Sequence, residues 1–404
     1  MKRPELLCPA GDFEKMRTAI HYGADAVYLG DPRFSLRNKA KNFDAEELAA
    51  AVQYAHERGV KVYITVNVFA LNSDLPAVRE HINILREIQP DAAIISDPGV
   101  FMLFREKVPE IDIHVSTQAN ITNSESARFW EKMGAKRLIL SRELSIDEIR
   151  EIGENVEVEL ETFVHGSVCL SYSGKCYLSS FLASRSANSG ECTNSCRWKY
   201  ALVEEKRPGE YLPVFEDDRG AYVMNSKDLC LVGHLPLLSN AGIDSFKIEG
   251  RMKGIHYVAG VTRVYREAVD LIGNEKLYQS RLPAWQKELA LFGKRGYTTG
   301  LLFGRDKDEI CNVTGDNYVS ESELAGVVLD IKGQFAKILL RIKISVGDSL
   351  EYLTPGLDDK ITTVESLRYE DGIEAVSALA GETVLIKAPD GPRKGDLIRK
   401  IRQA

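Results

Sequence analysis

Eight short apolar runs alternate with helical stretches between residues 5 and 249, and this alternation constrains the fold more than any other feature of the chain. The runs cover residues 5–8, 26–30, 60–66, 92–96, 111–116, 137–141, 156–163 and 245–249. The stretches between them, such as 45–58 and 75–88, repeat apolar residues with the period of a helix. Eight parallel strands that alternate with helices close a barrel, whereas open doubly wound sheets rarely reach eight such units. We therefore predict an α/β protein with a TIM-like (β/α)8 barrel.

A long insertion separates the last two strands of this predicted barrel. The seventh run ends at residue 163 and the eighth begins at 245, which leaves about 80 residues where two to six are usual. The insertion, at about 165–242, contains five of the seven cysteines of the chain. Because the chemistry of such barrels lies at the carboxyl ends of the strands, a thiol-rich insertion after strand seven is expected on the active face.

The pattern changes after the barrel. Helices at 256–272 and 277–291 would complete it, and glycine-rich residues 292–300 indicate a linker. From about residue 324, short strands at 325–331, 336–342, 350–353 and 383–387 are separated by turn residues such as Asp-Gly and Pro-Gly. We predict a barrel domain at 1–300 and a small C-terminal antiparallel β-barrel at 315–404.

Charge and hydropathy narrow the class of protein. The formal net charge of −7 argues against bulk attraction to nucleic acid, so any contact with RNA would need a local basic patch. The apolar run near the N-terminus is too short for a signal peptide, and no stretch approaches the roughly 18 apolar residues of a membrane helix. We expect a cytoplasmic protein that does not enter the membrane, with cysteines that are reduced and available to metals.

The thiols in the insertion are spaced as Cys169-x6-Cys176-x15-Cys192-x3-Cys196, with Cys230 further on. Iron-sulfur clusters and structural zinc both use four thiolates. The absence of paired Cys-x2-Cys knuckles favours a cluster over zinc, and buried free thiols or one reactive cysteine are a third interpretation. The spacing alone does not decide between Cys196 and Cys230 as the fourth ligand.

Polar residues follow several of the predicted strands. Glu161 and His165, at the end of strand seven, are candidate catalytic groups beside the thiols, although a histidine that only orients a loop fits the sequence equally well. Candidates for binding a substrate stand at the ends of strands six and eight, and they are Arg142, Lys247, Glu249 and Arg251. The three cations Arg142, Lys247 and Arg251 suggest that the substrate carries a carboxylate or phosphate. Singly, each could be a salt bridge or a cap, but together they favour a polar substrate pocket.

The stretch from Glu161 to Ser179 carries a specific pattern, which reads Glu-x-Phe-x2-Gly-Ser-Val-Cys-x4-Gly-x-Cys-x-Leu-Ser. It resembles the motif of the collagenase-like peptidase family, also called peptidase family U-32. Further blocks that resemble the family are residues 7–11, 34–37, 116–118, 141–144, 185–188, 196–198, 228–230 and 247–251. The resemblance covers roughly residues 5–291, and the tail resembles the C-terminal β-barrel of the family.

This resemblance implies an RNA-modifying enzyme more than a protease. Some members make 5-hydroxyuridine at the tRNA wobble position with prephenate as the source of the hydroxyl group, and others hydroxylate ribosomal RNA or act in oxygen-independent ubiquinone synthesis. Some relatives carry a 4Fe-4S cluster on cysteines of this pattern. Carried over by position, the ligands are Cys169, Cys176, Cys192 and Cys230, with Cys196 as the rival.

We therefore expect a tRNA hydroxylase whose small anionic co-substrate is held by Arg142, Arg185, Lys247 or Arg251. One departure weakens this expectation, because the family commonly has Asn-Arg-Gly where this chain has Asn188-Ser-Gly. A paralogue as working partner stays open. Two rival functions also stay open: a peptidase, although the chain lacks the His-Glu-x-x-His and Gly-x-Ser-x-Gly motifs, and a non-catalytic RNA-binding scaffold.

Overall fold

The computed structural model describes residues 3–36, 41–169, 171–195, 215–217, 220–222, 227–293, 296–304 and 322–401. The strands up to the end of the first domain are β1 Glu5–Pro9, β2 Ala26–Gly30, β3 Lys61–Val66, β4 Ala92–Ile95, β5 Asp112–Val115, β6 Arg137–Ile139, β7 Glu159–Ser167, β8 Phe215–Asp217, β9 Gly220–Tyr222, β10 Asp228–Cys230, β11 Ser245–Ile248 and β12 Tyr297–Thr298. The helices are α1 Phe13–His21, α2 Ala45–His56, α3 Leu75–Ile88, α4 Pro98–Lys107, α5 Ser124–Lys132, α6 Ile146–Asn155, α7 Leu178–Ala183, α8 Leu235–Asn240, α9 Ile255–Asp270 and α10 Glu275–Ala290. None of these helices is long and apolar enough to cross a membrane.

Strands β1 to β7 and β11 form a closed parallel barrel. Each pairs with the next along the chain, and β11 closes the ring by pairing with both β1 and β7. The strands are almost continuously buried, as expected where the barrel interior covers one face and helices cover the other. The predicted TIM-like barrel is confirmed, with each of the eight strands close to its predicted position.

Local sequence fixes where the helices between these strands begin. The carboxylate of Asp12 accepts from the Lys15 amide at the start of α1. Asp44 and Ser145 each form a reciprocal capping box with the glutamate three residues later, at the starts of α2 and α6. Such caps satisfy amides that would otherwise have no partner, and each stabilises its helix by about 1 kcal/mol.

The insertion returns to the barrel through β10. This short strand runs antiparallel to β7, pairing Asp228 with Ser167 and Cys230 with His165, and β12 lies on its other side. The wall at β7 therefore continues into a strand that carries one of the candidate thiols. The insertion departs from the barrel and comes back to it at the same strand.

The C-terminal domain is an antiparallel sheet that curls around its own apolar core. Its strands are β13 Ser322–Lys332, β14 Phe335–Leu340, β15 Ile344–Ser345, β16 Ser349–Leu353, β17 Lys360–Thr363, β18 Leu367–Arg368, β19 Glu374–Ala375, β20 Ser377–Ala378, β21 Thr383–Lys387 and β22 Leu397–Ile401. Eight of them form one sheet in the order β17-β16-β22-β13-β14-β21-β18-β19. The predicted small antiparallel domain is confirmed, as a curled sheet. Because 305–321 lies outside the described residues, the predicted domain boundaries stay a prediction.

The two domains share a polar and apolar contact on the helix layer. The hydroxyl of Tyr22, at the end of α1, donates to the Leu353 carbonyl at 2.8 Å and accepts from the Leu397 amide at 2.9 Å. Beside it, Glu288 on α10 binds Arg263 of α9 at 2.6 Å and Arg399 of β22 at 2.9 Å. These buried hydrogen bonds and ion pairs hold the sheet against the barrel.

Candidate functional site

A polar cavity of about 470 Å³ lies at the carboxyl ends of the barrel strands. It is lined by Tyr28, Leu36, Thr65, Asn67, Ile94, Ser116, Thr117, Gln118, Ile139, Arg142, Phe163, Lys247, Glu249 and Arg251. The structure thus brings four of the predicted binding residues, Arg142, Lys247, Glu249 and Arg251, into one cavity. Arg185, in the insertion, is not among the residues that line it.

Lys247 brings positive charge to this cavity. Its ammonium lies 2.9 Å from Glu161 and above the Tyr28 ring, 4.5 Å from the centroid. Burial lowers the pKa of Lys247, and the neighbouring Glu161 carboxylate opposes that shift by favouring the charged form. The carboxylate therefore holds the ammonium in place against the cost of its burial.

Arg142 lines the same cavity, but different contacts hold its side chain. One guanidinium nitrogen donates to the Ser167 carbonyl at 2.8 Å, and the guanidinium carbon lies 4.0 Å from the centroid of the Phe163 ring. A planar guanidinium stacked on an aromatic ring is held in orientation while its remaining N–H groups can bind a ligand. Arg142 is thus suited to bind a carboxylate or phosphate.

Arg251 has a mainly structural set of contacts. It is buried and donates to the side chains of Ser35, Asn42 and Thr65. These residues lie in the loop after β2 and on β3, so Arg251 ties that loop to the end of β11. It shapes the wall of the cavity, and its neighbours already use much of its donor capacity.

Glu161 lies deeper than the sequence analysis predicted. It is fully buried, binds Arg137 at 3.1 Å as well as Lys247, and is not among the residues that line the cavity. Side chains two residues apart on a barrel strand occupy successive interior layers, and Phe163 occupies the layer above Glu161. Arg137 also binds Glu5 at 2.6 Å, which extends a buried ion-pair network below the cavity.

His165 faces the other side of β7 from Glu161 and Phe163. Strict alternation would place all three on one face, but β7 pairs Phe163 with Lys247 and His165 with Ile248, so one extra residue, Val164, bulges from the strand. The His165 ring consequently packs among tyrosines, and its Nδ1 lies 3.3 Å from the Tyr265 hydroxyl. Burial lowers its pKa to about 3, so the imidazole is neutral near pH 7.

Three of the predicted thiols line a second cavity of about 880 Å³. They are Cys169, Cys176 and Cys192, and Thr117, Gln118 and Arg142 line this cavity as well as the polar one. The polar cavity and the thiol cavity therefore share a wall. Their common boundary is where a substrate held by Arg142 would face the thiols.

The other thiols have different surroundings. The Cys230 sulfur lies 3.9 Å from the Tyr265 hydroxyl, and Cys230 pairs with His165 across the two strands. Burial raises the pKa of this thiol. Cys8 is buried in β1 and accepts from the Thr262 hydroxyl at 3.4 Å, as expected of a core thiol. Cys196 lies outside the described residues.

The described thiols suit a cluster by the chemistry of their donors. Among the residues that the structure describes, no three His, Cys, Asp or Glu side chains come together as ligands of a single metal ion. A four-iron cluster differs from a single ion because each thiolate binds a different iron, so its ligands surround a body rather than a point. Three thiols around one cavity fit that donor set.

Three contacts anchor the insertion to loops of the barrel. The Ser173 amide donates to Glu143 at 2.8 Å, and the Phe69 amide donates to the Asn188 carbonyl at 3.3 Å. Between them Gly174, at a φ of +71°, approaches the Gln118 carbonyl so closely that a Cβ would lie 2.1 Å from its oxygen. Glycine is required there for two reasons, its backbone conformation and its lack of a side chain.

Several contributors to the site were not predicted from the sequence. Tyr28 and Phe163 support Lys247 and Arg142, and Tyr265 of α9 contacts both His165 and Cys230. An aromatic residue in an apolar strand such as β2 or β7 is ordinarily predicted to be part of the hydrophobic core. Tyr265 is 100 residues from His165 along the chain, so no local pattern joins them.

Comparison with known proteins places this geometry in a family. Residues 11–312 match the model described as peptidase family U32, and residues 320–399 match the peptidase family U32 C-terminal domain. Among its relatives, tRNA hydroxylation protein P of Escherichia coli is 40% identical over 397 residues, covering 88% of this chain and 87% of that protein. tRNA hydroxylation protein P1 of Bacillus subtilis is 36% identical, covering 93% and 90%.

A relative with a different name matches as well. Collagenase of Porphyromonas gingivalis is 31% identical over 413 residues, covering 98% of this chain and 97% of that protein. The family match spans both domains, although the relatives carry different names. The resemblance predicted from residues 161–179 is confirmed. The chain belongs to peptidase family U32.

Proposed function

We propose that this chain hydroxylates tRNA, forming 5-hydroxyuridine at the wobble position. The observation that carries the proposal is the wall shared by the two cavities, because Arg142 lines both the cavity that contains Lys247 and the cavity that contains the thiols. Relatives named tRNA hydroxylation protein P, at 40% identity over most of the chain, support the same reaction. A tRNA substrate would also make the protein cytoplasmic.

Arg142 and Lys247 would hold a small anionic co-substrate, with prephenate as the proposed source of the hydroxyl group. Prephenate carries two carboxylates, and the cavity offers two cations on aromatic supports. Glu249 lines the same cavity and accepts from the Tyr28 hydroxyl at 3.3 Å, so it would keep the anion to the side of the two cations. Charge-assisted hydrogen bonds of this kind are stronger than neutral ones and give orientation.

Cys169, Cys176 and Cys192 would hold a 4Fe-4S cluster, with Cys230 or Cys196 as the fourth ligand. When bound, such a cluster supplies one-electron chemistry beside the substrate. Zinc is the alternative metal. Glu161 and His165 take positioning roles in this proposal: Glu161 fixes the ammonium of Lys247, and His165 with Tyr265 packs behind Cys230.

The function is tested by deleting the gene in a strain that has no redundant relative and measuring 5-hydroxyuridine-derived nucleosides in tRNA by mass spectrometry. We expect them to disappear and to return with the wild-type gene but not with Lys247→Met. Unchanged levels in the deletion strain would contradict the proposal.

The cluster is tested separately, by anaerobic purification followed by iron and sulfide analysis. We expect Cys169→Ala to lose iron and sulfide together, whereas Cys8→Ala, which removes a thiol buried in the barrel core, should keep both. Zinc in place of iron, or equal iron in both variants, would overturn the assignment.

A peptidase is the second candidate, because one relative is named collagenase. A cysteine nucleophile needs a base within about 3.2 Å. His165 instead packs inside an aromatic cluster, with its Nδ1 3.3 Å from the Tyr265 hydroxyl. These contacts favour the hydroxylase. Cleavage of gelatin by the purified protein, lost in Cys169→Ala, would revive the peptidase.

A scaffold that binds RNA without turnover is the remaining alternative. In that case Cys169→Ala would lower stability, and wild-type protein would support no hydroxylation even with cluster and co-substrate present. Hydroxylation of tRNA by the purified wild-type protein, supplied with the cluster and the co-substrate, would exclude it.

A further inference from the structure

Three large aromatic side chains stand exposed within ten residues of the insertion. Tyr172, Tyr177 and Phe181 are 51%, 72% and 76% exposed. Among the residues whose side-chain exposure the structure describes, only Phe129 and Phe303 are other exposed tyrosine or phenylalanine side chains. Exposed rings grouped in this way cost free energy in water, so they indicate a contact with another molecule.

These three residues, which we call the ring surface, border the thiol cavity. Tyr172 lines that cavity, and Tyr177 directly follows Cys176. Phe181 lies on α7, whose buried Ser179 hydroxyl accepts from the Thr193 amide at 3.2 Å. Together with the anchors at Ser173 and Asn188, this contact holds the rings in a defined place beside the candidate site.

The charge around the ring surface differs from that of the whole chain. Residues 167–195 contain two basic residues, Lys175 and Arg185, and one acidic residue, Glu191, which gives a net charge of +1 (2 − 1) against −7 for the chain. Neither Lys175 nor Arg185 forms an ion pair with a described residue, and Lys175 is exposed. Free cations interleaved with exposed rings are suited to a polyanion that also presents flat apolar faces.

We propose that the ring surface stacks on unpaired bases of the RNA loop that carries the target nucleotide, while Lys175 and Arg185 bind its phosphates. The inference rests on the proposed function for the identity of the RNA, and it adds the means by which a single-stranded loop is recognised. A paired stem hides its base faces, so this surface would select a loop over a helix. It would also deliver the base to the thiol cavity that Tyr172 lines.

The test is fluorescence anisotropy with the full-length protein and a labelled anticodon stem-loop, with a fully paired duplex of equal length as the second probe. Tyr177→Ala and Phe181→Ala should each weaken stem-loop binding by about 5-fold or more, and the double variant should weaken it further. Duplex binding should change little. Phe181→Trp should retain stem-loop binding, because a larger ring still stacks.

Phe129→Ala is the matched control. Phe129 is 52% exposed on α5, in the helix layer of the barrel, and it lines neither cavity. Its replacement should leave stem-loop binding unchanged. Lys175→Ala and Arg185→Ala should weaken binding of the stem-loop and reduce its dependence on salt concentration.

Several results would overturn the inference. Stem-loop binding that is unchanged in the Tyr177 and Phe181 variants would do so, as would equal weakening of stem-loop and duplex, which would indicate charge without stacking. An altered oligomeric state with intact RNA binding would assign the ring surface to a second copy of the chain. Unchanged 5-hydroxyuridine levels in the deletion strain, with ring variants that still weaken loop binding, would contradict the proposed function and leave the ring surface standing.

Discussion

Arg137 and Arg142 are five residues apart in sequence, yet they belong to two regions of the barrel that use charge differently. In the interior, Arg137 binds the carboxylates of Glu5, Glu159 and Glu161. At the mouth, Arg142 donates to one backbone carbonyl and rests on a phenylalanine ring. The interior network satisfies its charges within the protein, whereas the mouth keeps donors for a ligand. The difference separates residues that hold the barrel together from residues that we propose to bind substrate.

The largest expected effect comes from breaking the interior network. Arg137→Met leaves Glu5 and Glu161 buried with fewer partners, and removing one partner of a buried ion pair costs about 3–5 kcal/mol. Urea unfolding measures this loss. Arg150→Met, which removes an exposed pair with Asp147, is the control and should cost about 0–1 kcal/mol. A cost for Arg137→Met no larger than the control would remove the distinction between interior and mouth.

Arg142→Met should have the opposite profile. We expect hydroxylation to fall about tenfold or more, because charge-assisted hydrogen bonds to a ligand contribute about 1.5–3 kcal/mol, while stability changes by about 1 kcal/mol. Arg142→Lys should recover only part of the activity, since an ammonium lacks the planar stack on Phe163. Hydroxylation rates measured in cell extract, and urea unfolding of the purified variants, test this. If Arg142→Met lowered the free energy of unfolding strongly and left the hydroxylation rate unchanged, Arg142 would belong with the interior network.

Gly174→Ala tests how the insertion is attached to the mouth. A Cβ would meet the Gln118 carbonyl and would sit on a backbone at positive φ, so we expect a local cost of about 1–3 kcal/mol and faster amide exchange around 171–192. Gly273→Ala has a φ of +97° with nothing within 4 Å and controls for the backbone conformation alone. Equal exchange in both variants would mean that the close approach to Gln118 does not hold the insertion.

The smallest expected effect is the acid response of the interior network. Burial tends to raise the pKa of Glu5, but Arg137 more than compensates, so its pKa in the folded state lies below the ordinary 4.5. The contribution of Glu5 to stability is therefore complete above pH 4.5, and it is lost as the pH falls through the lower folded-state pKa. The slope is at most about 1.4 kcal/mol per pH unit for one group. Urea unfolding at a series of acidic pH values should show a shallower slope in Arg137→Met, and an identical slope would contradict the assignment.

The barrel was predictable from the sequence because its strands are short apolar runs bounded by helices with clear caps. The same logic brought Arg142, Lys247, Glu249 and Arg251 to one cavity, since the carboxyl ends of parallel strands meet at one face. Both predictions depend only on local pattern and on a symmetric architecture. The roles of these residues stay proposals.

The placements that differed depend on pairing register and depth. Strict alternation along β7 would place His165 on the face of Glu161, but the register with β11 shifts by one residue at Val164, and this shift is visible only in the strand pairing. Glu161 lies below the cavity, because Phe163 occupies the interior layer above it. The sequence of a single strand does not show how deep a side chain lies along the barrel axis. Strand β10 has three residues, too few for a sequence pattern, and it brings Cys230 beside His165.

The Tyr22 hydroxyl also has a consequence for how the protein is made. Its donor, the Leu397 amide, is 375 residues away, so the ribosome must add the rest of the barrel and most of the curled sheet before this bond can form. Until then the apolar side of α1 and α9 around Tyr22 has no cover from Leu353 and Leu397. A nascent barrel therefore exposes these apolar side chains to water, and the finished C-terminal sheet covers them.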